Sequence, residues 1–121
     1  LVTQLRDDPA IWMEDTIKGS MAGPANSMMK WGGEPAWAEP LVGYSSGADP
    51  LYQFYKQNIG DFYLSPPEFI SHAYPDRGFK SEMLTVVSWM LPQTEATKRD
   101  HREETHIPSE RWPDPRYLAR R

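Results

Sequence analysis

Residues 83–91 read Met83-Leu84-Thr85-Val86-Val87-Ser88-Trp89-Met90-Leu91, and Pro92 closes the run. The stretch carries no charge, is rich in β-branched side chains, and does not alternate polar with apolar. A strand with one wet face would alternate, so the pattern predicts a strand at about 82–91 that is buried on both faces. Val86, Val87 and Met90 are expected close to fully buried, and Trp89 largely so. The residues that follow are crowded with Thr, Glu, Arg and His. A buried strand that delivers polar side chains just past its carboxyl end is a common way for α/β proteins to build a ligand site. One strong strand cannot make a sheet, however, and the chain supplies few neighbours for it.

The helix signals lie elsewhere. Asp8-Pro9 reads as an N-cap followed by proline at the first helical position, with Ala10, Met13 and Ile17 on one face and Gly19 as the stop. This predicts a short amphipathic helix over 9–18. Asp49-Pro50 repeats the signal ahead of a stripe of Leu51, Phe54, Tyr55, Asn58 and Ile59, with Gly60 at the C-terminal cap, so a second helix is predicted at 50–59. Ser65 and Glu68 stand at the N-cap and third positions of a capping box, with Pro66 and Pro67 between them, predicting a third helix at 66–74. Leu41–Ser45 reads as a short strand. Gln93–Glu104 is helix-compatible but nearly free of apolar residues.

The expectation is therefore an α+β arrangement, part of a larger α/β body, with two or three short helices packed on a small sheet. Residues 1–121 read as a single N-terminal domain or fragment. Within it, 19–40 is an irregular Met/Trp-rich segment that either covers the core or docks a partner. Residues 93–121 form a polar, locally basic tail, with seven Lys or Arg against six Asp or Glu, compared with six against eleven in 1–92. That balance suits an anionic ligand or a solvated, salt-bridged surface.

Bulk composition narrows the function. Net charge is −4, which provides no overall basic field to draw nucleic acid. No apolar run approaches the roughly 20 residues needed to span a bilayer. Leu1–Ala10 is too polar for a signal peptide, so a cytoplasmic location is the expectation. There is no cysteine, which rules out disulfides, thiolate zinc sites and cysteine-ligated iron–sulfur clusters within these residues. His101 and His106 are five apart, with Glu103 and Glu104 between them, and a helix brings residues three or four apart onto one face, not five. His72 has no visible partner, so no metal ligands are assigned. Ser45-Ser46-Gly47 lacks a nucleophile elbow, and Gly43–Gly47 lacks the Lys-Ser/Thr of a phosphate loop.

Two blocks together carry a resemblance. Residues 40–69 read PLVGYSSGADPLYQFYKQNIGDFYLSPPEF, and residues 86–112 read VVSWMLPQTEATKRDHREETHIPSERW. In order and at this separation they resemble the N-terminal region of bacterial and archaeal 4Fe-4S proteins related to epoxyqueuosine reductase and to corrinoid reductive dehalogenases. The resemblance covers about residues 38–112. It implies an oxidoreductase-like protein whose N-terminal region helps shape a substrate or corrinoid pocket, while the cluster ligands lie in a downstream module. Those ligands have no positions here, and Pro113-Asp-Pro-Arg-Tyr-Leu stands where the family continues into another helix. The implied cofactors, a 4Fe-4S cluster and a corrinoid, thus belong to the full-length relative, and the implied partner is the remainder of the polypeptide or a partner subunit. Gln93, Thr94, Glu95, Arg102, Ser109 and Arg111 are the pocket-facing candidates, since they follow the strand. The competing expectation is a non-enzymatic module that docks a partner through the Met/Trp segment and the polar tail.

Overall fold

The computed structural model describes residues 8–118; the polar first residues of the chain and the last three of the 93–121 segment lie outside them. The fold is α+β, with five α-helices and two small two-stranded antiparallel sheets among the described residues. The chain divides into two compact units, one of residues up to 41 together with 89 onward, the other of residues 42–88.

In the first unit, α1 (Pro9–Ala22) starts as its sequence predicts. The Asp8 carboxylate accepts from the Ala10 and Ile11 amides at 3.1 and 3.2 Å, and Pro9 fills the first position. Gly19 does not stop the helix. Gly19 stays helical, without the positive φ of a left-handed cap, and α1 runs on to Ala22, where Gly23 leaves the helix in an extended conformation. Asn26 then ties the helix end to the returning chain. Its amide donates to the Met21 and Trp37 carbonyls at 2.8 and 2.9 Å and accepts from the Trp37 N–H at 2.9 Å.

β1 (Ser27–Met28) pairs antiparallel with β2 (Glu34–Pro35), Ser27 opposite Pro35 and Met28 opposite Glu34. Part of the irregular Met/Trp segment is thus a tight hairpin, with Met28 and Ala36 buried and Met29 exposed. Trp37 forms an isolated antiparallel bridge with Gln93, and the Ala38 N–H donates to the Pro92 carbonyl at 2.9 Å. α4 (Glu95–Glu103) is capped by Thr94, whose hydroxyl accepts from the Thr97 amide at 3.3 Å. α5 (Asp114–Leu118) follows. The polar 93–121 segment is not uniformly exposed, since Ser109, Arg111 and Pro115 are buried.

β3 (Leu41–Ser46) pairs with β4 (Thr85–Met90), strands that lie in the second unit but for Leu41, Trp89 and Met90, and a short 3₁₀ turn, Ser81–Met83, leads into β4. Two helices, α2 (Pro50–Ile59) and α3 (Pro66–Ala73), lie between the strands in the chain. Asp49 caps α2 by accepting from the Leu51 amide at 2.9 Å, and Ser45 and Tyr52 share a 2.6 Å hydrogen bond between β3 and α2. Where the sheet meets the 3₁₀ turn, the Gly47 N–H donates to the Leu84 carbonyl at 2.8 Å. A Cβ at Gly47 would stand 2.6 Å from Leu84 Cβ and 2.9 Å from the Ser81 carbonyl oxygen. Because part of that clash is with backbone, Gly47→Ala is expected to destabilise by about 1–2 kcal/mol through overpacking. A urea midpoint unchanged from the parent would show that the turn gives way without cost.

Glu68 completes the α3 cap and joins it to α2. One carboxylate oxygen accepts from Lys56; the other accepts from the Ser65 amide and hydroxyl, each at 2.8 Å. Lys56 first, then the two Ser65 donors, lower the Glu68 pKa from the usual 4.5 to about 2. A carboxylate depressed in the folded state contributes stability that is full above its unfolded pKa and is lost as pH falls through its folded one. Acidification from pH 4.5 to 2 should therefore weaken this unit, modestly, because the carboxylate is partly exposed to solvent. Thermal melts in that range should lose the pH dependence in Glu68→Gln; a variant with the parental profile would assign the acid sensitivity to other groups.

The predicted burial of 82–91 is not observed. Val86 and Val87 are half-buried, while Trp89 is 58% and Met90 63% exposed. The physical reason is a two-stranded sheet, in which β4 has β3 as its sheet neighbour and nothing closes over both of its faces. The α2 stripe shares the condition, with Leu51, Phe54 and Ile59 all exposed.

Candidate functional site

The six predicted site residues fall into distinct surroundings within the first unit. Arg111 is one of the two most deeply placed, 6% exposed. Its Nε donates to the Thr97 hydroxyl at 3.0 Å, one terminal nitrogen pairs with Glu34, and the other lies 3.6 Å from the Asp100 carboxylate. The guanidinium sits 5.3 Å from the centre of the Trp31 ring, and Trp31 Nε1 donates to Asp114 at 2.6 Å. Every face of this cation thus has a protein partner, and the arrangement joins β2, α4 and the segment before α5. A buried arginine whose nitrogens are shared among a hydroxyl and two different carboxylates, with a ring beside it, is a positioning group first.

Ser109 is equally buried. Its amide donates to His101 Nδ1 at 3.3 Å, and its hydroxyl has no protein partner among the described residues. His101 stacks on Trp112 at 4.0 Å with the rings 19° apart. A nitrogen that accepts from an amide carries no proton, so in this arrangement the His101 proton is on Nε2. Glu95 and Arg102 are exposed; Glu95 pairs with Lys98 at 2.6 Å, which lowers its pKa. Gln93 bridges to Trp37 and holds a buried side-chain oxygen without a hydrogen-bond partner among the described residues.

Thr94 opens onto a groove of about 520 Å³, shared with Lys18, Gly19, Met21, Trp37 and Pro40. Lys18 lies between two carboxylates, 2.7 Å from Glu14 and 2.9 Å from Glu39. Both hydrogen bonds raise its pKa, Glu14 more than Glu39, so it is a fixed cation at any physiological pH. The groove is otherwise apolar, and the Asn26 amide beside it is saturated by the backbone bonds that close α1.

Among the described residues no group of three or more His, Cys, Asp or Glu side chains is gathered in a way that could hold a metal ion, and no helix is long and apolar enough to cross a membrane. Of the predicted residues, the structure brings Ser109 and Arg111 to the buried side of α4, and Gln93 and Thr94 to the strand end beside Trp37. The partners that sequence reasoning missed are Glu34, Trp31 and Thr97 around Arg111, and Lys18 and Asn26 at the groove. Compared with known proteins, the chain matches no family model, no curated protein and no solved structure.

Proposed function

We propose that the chain is an N-terminal, cysteine-free part of a 4Fe-4S/corrinoid reductase-like protein, where it helps to shape a substrate or corrinoid pocket and carries no cluster ligands of its own. The observation that carries this reading is β4. An uncharged strand, apolar on both faces, is the kind that sits inside a sheet covered on both sides, yet here Trp89 and Met90 are more than half exposed. Exposed apolar surface of this extent marks a place where further polypeptide packs. The likeness of residues 40–69 and 86–112 to the reductase family supplies the identity of that polypeptide, a cysteine-bearing module.

The competing docking-arm reading is less well supported. Trp31 is held by Asp114 and Arg111, and Trp37 by Asn26 and Gln93, so the Met/Trp segment is engaged within its own unit. The deciding experiment is isolation of the native gene product, with its mass and iron content measured together. A cysteine-bearing polypeptide, continuous with this chain or bound to it, carrying stoichiometric iron is the expected result. A native product of 13.9 kDa that is monomeric and iron-free would overturn the proposal.

A further inference from the structure

We infer that the groove at the carboxyl end of α1 is a binding site for a small aromatic or apolar organic cation. The first observation is Gly19. It lies inside α1, has no positive φ, and a Cβ placed on it would meet nothing within 4 Å. Neither conformation nor packing within the chain therefore calls for glycine, although glycine in a helix interior destabilises by up to about 1 kcal/mol relative to alanine. What the missing side chain does is leave bare backbone as one wall of the groove, open for close approach of a ligand.

The second observation is the lining. Met21, Trp37 and Pro40 present apolar and aromatic surface in a space of about 520 Å³, the size of a small-ligand site. The third is charge. Glu14 and Glu39 share the single Lys18 ammonium, leaving one negative charge uncompensated, and the Glu39 side chain is largely exposed. The last turn of α1, residues 18–22, also flanks the groove, and the carbonyl end of a helix carries partial negative charge. Trp37 lines the groove together with Lys18 and Glu39, and with Glu14 on the same ammonium the cluster carries one net negative charge, which favours a cation with an apolar body over an anion of the same shape. The site rests on α1 and residues 26–40 and 94, and it stands whether or not further polypeptide covers β4.

The test is titration of the full chain with benzyltrimethylammonium, benzyl alcohol and benzoate, followed by amide and indole NMR shifts. Saturable shifts should cluster at Gly19, Ala22, Asn26 and Trp37, with affinity falling from the cation to the alcohol to benzoate. Glu39→Gln should weaken the cation roughly two- to fivefold and leave benzyl alcohol unchanged, the effect of one exposed charge. Gly19→Leu should abolish shifts at the groove for all three probes, while Gly19→Ala keeps the helix intact and raises the melting temperature. Benzoate binding as tightly as the cation, shifts scattered away from the groove, or a Glu39→Gln chain with parental affinity would overturn the assignment.

Discussion

Replacing Arg111 by Ala is expected to lower the stability of the chain by about 2–3 kcal/mol, read as a fall in urea midpoint at constant slope. The magnitude follows from what the side chain holds. Its bond to Thr97 is inside the protein, where that hydroxyl is fully buried and would lose its strongest donor. Its pairing with Glu34 and Asp100 is worth less than a wholly buried bridge, because both carboxylates keep access to water. Loss of the stacking surface over Trp31 adds to the deficit. Arg111→Lys should recover less than half of it, since a lysine cannot reach Thr97 and two carboxylates with one fork. A loss below about 0.5 kcal/mol, the range of ordinary surface substitutions, would mean that the network is idle.

That network also marks the limit of what the chain discloses before folding. Asp8, Asp49 and the Ser65–Glu68 pair were legible because a cap is a local device whose donor and acceptor lie within three residues. Gly19 was misread because a glycine can also sit inside a helix with helical φ, and composition does not reveal which conformation it takes; the helix ends four residues later, at Gly23. Thr97 and Asp100 stand three apart on α4 and so share a face, a spacing that the helix-compatible reading of 93–104 allows. Glu34 and Trp31 were not readable, since nothing in their surroundings points to an arginine almost eighty residues away. Separation also hid the burial of Pro115, which looks like part of a polar tail until β1 packs with α5. The extent of β4 was read to within a few residues, but its burial was not. Periodicity reports the environment for which a strand is suited, and the chain that provides that environment need not be the strand's own.

If the proposed cysteine-bearing polypeptide covers β4, changing Trp89 and Met90 together to Lys should leave the melting of the isolated 121-residue chain almost unchanged and abolish that association. Both side chains already face solvent in large part, and substitutions of exposed residues usually shift stability by no more than about 0.5 kcal/mol. In the covered state the same two lysines would lie in an apolar, strand-paired setting where each charge would lack a partner. Desolvating an unpaired charge costs several kcal/mol, enough to abolish a complex of ordinary affinity. The two measurements separate the possibilities cleanly. Thermal melts of parent and variant give the first term, and quantitative recovery of the cysteine-bearing polypeptide with tagged parent and tagged variant gives the second. A variant that melts far below the parent would place Trp89 and Met90 inside the chain's own core, against the structure. A variant that melts normally and still recovers the polypeptide would show that β4 is not where it binds, and the surface over α2, with Leu51, Phe54 and Ile59 exposed, would become the next to test.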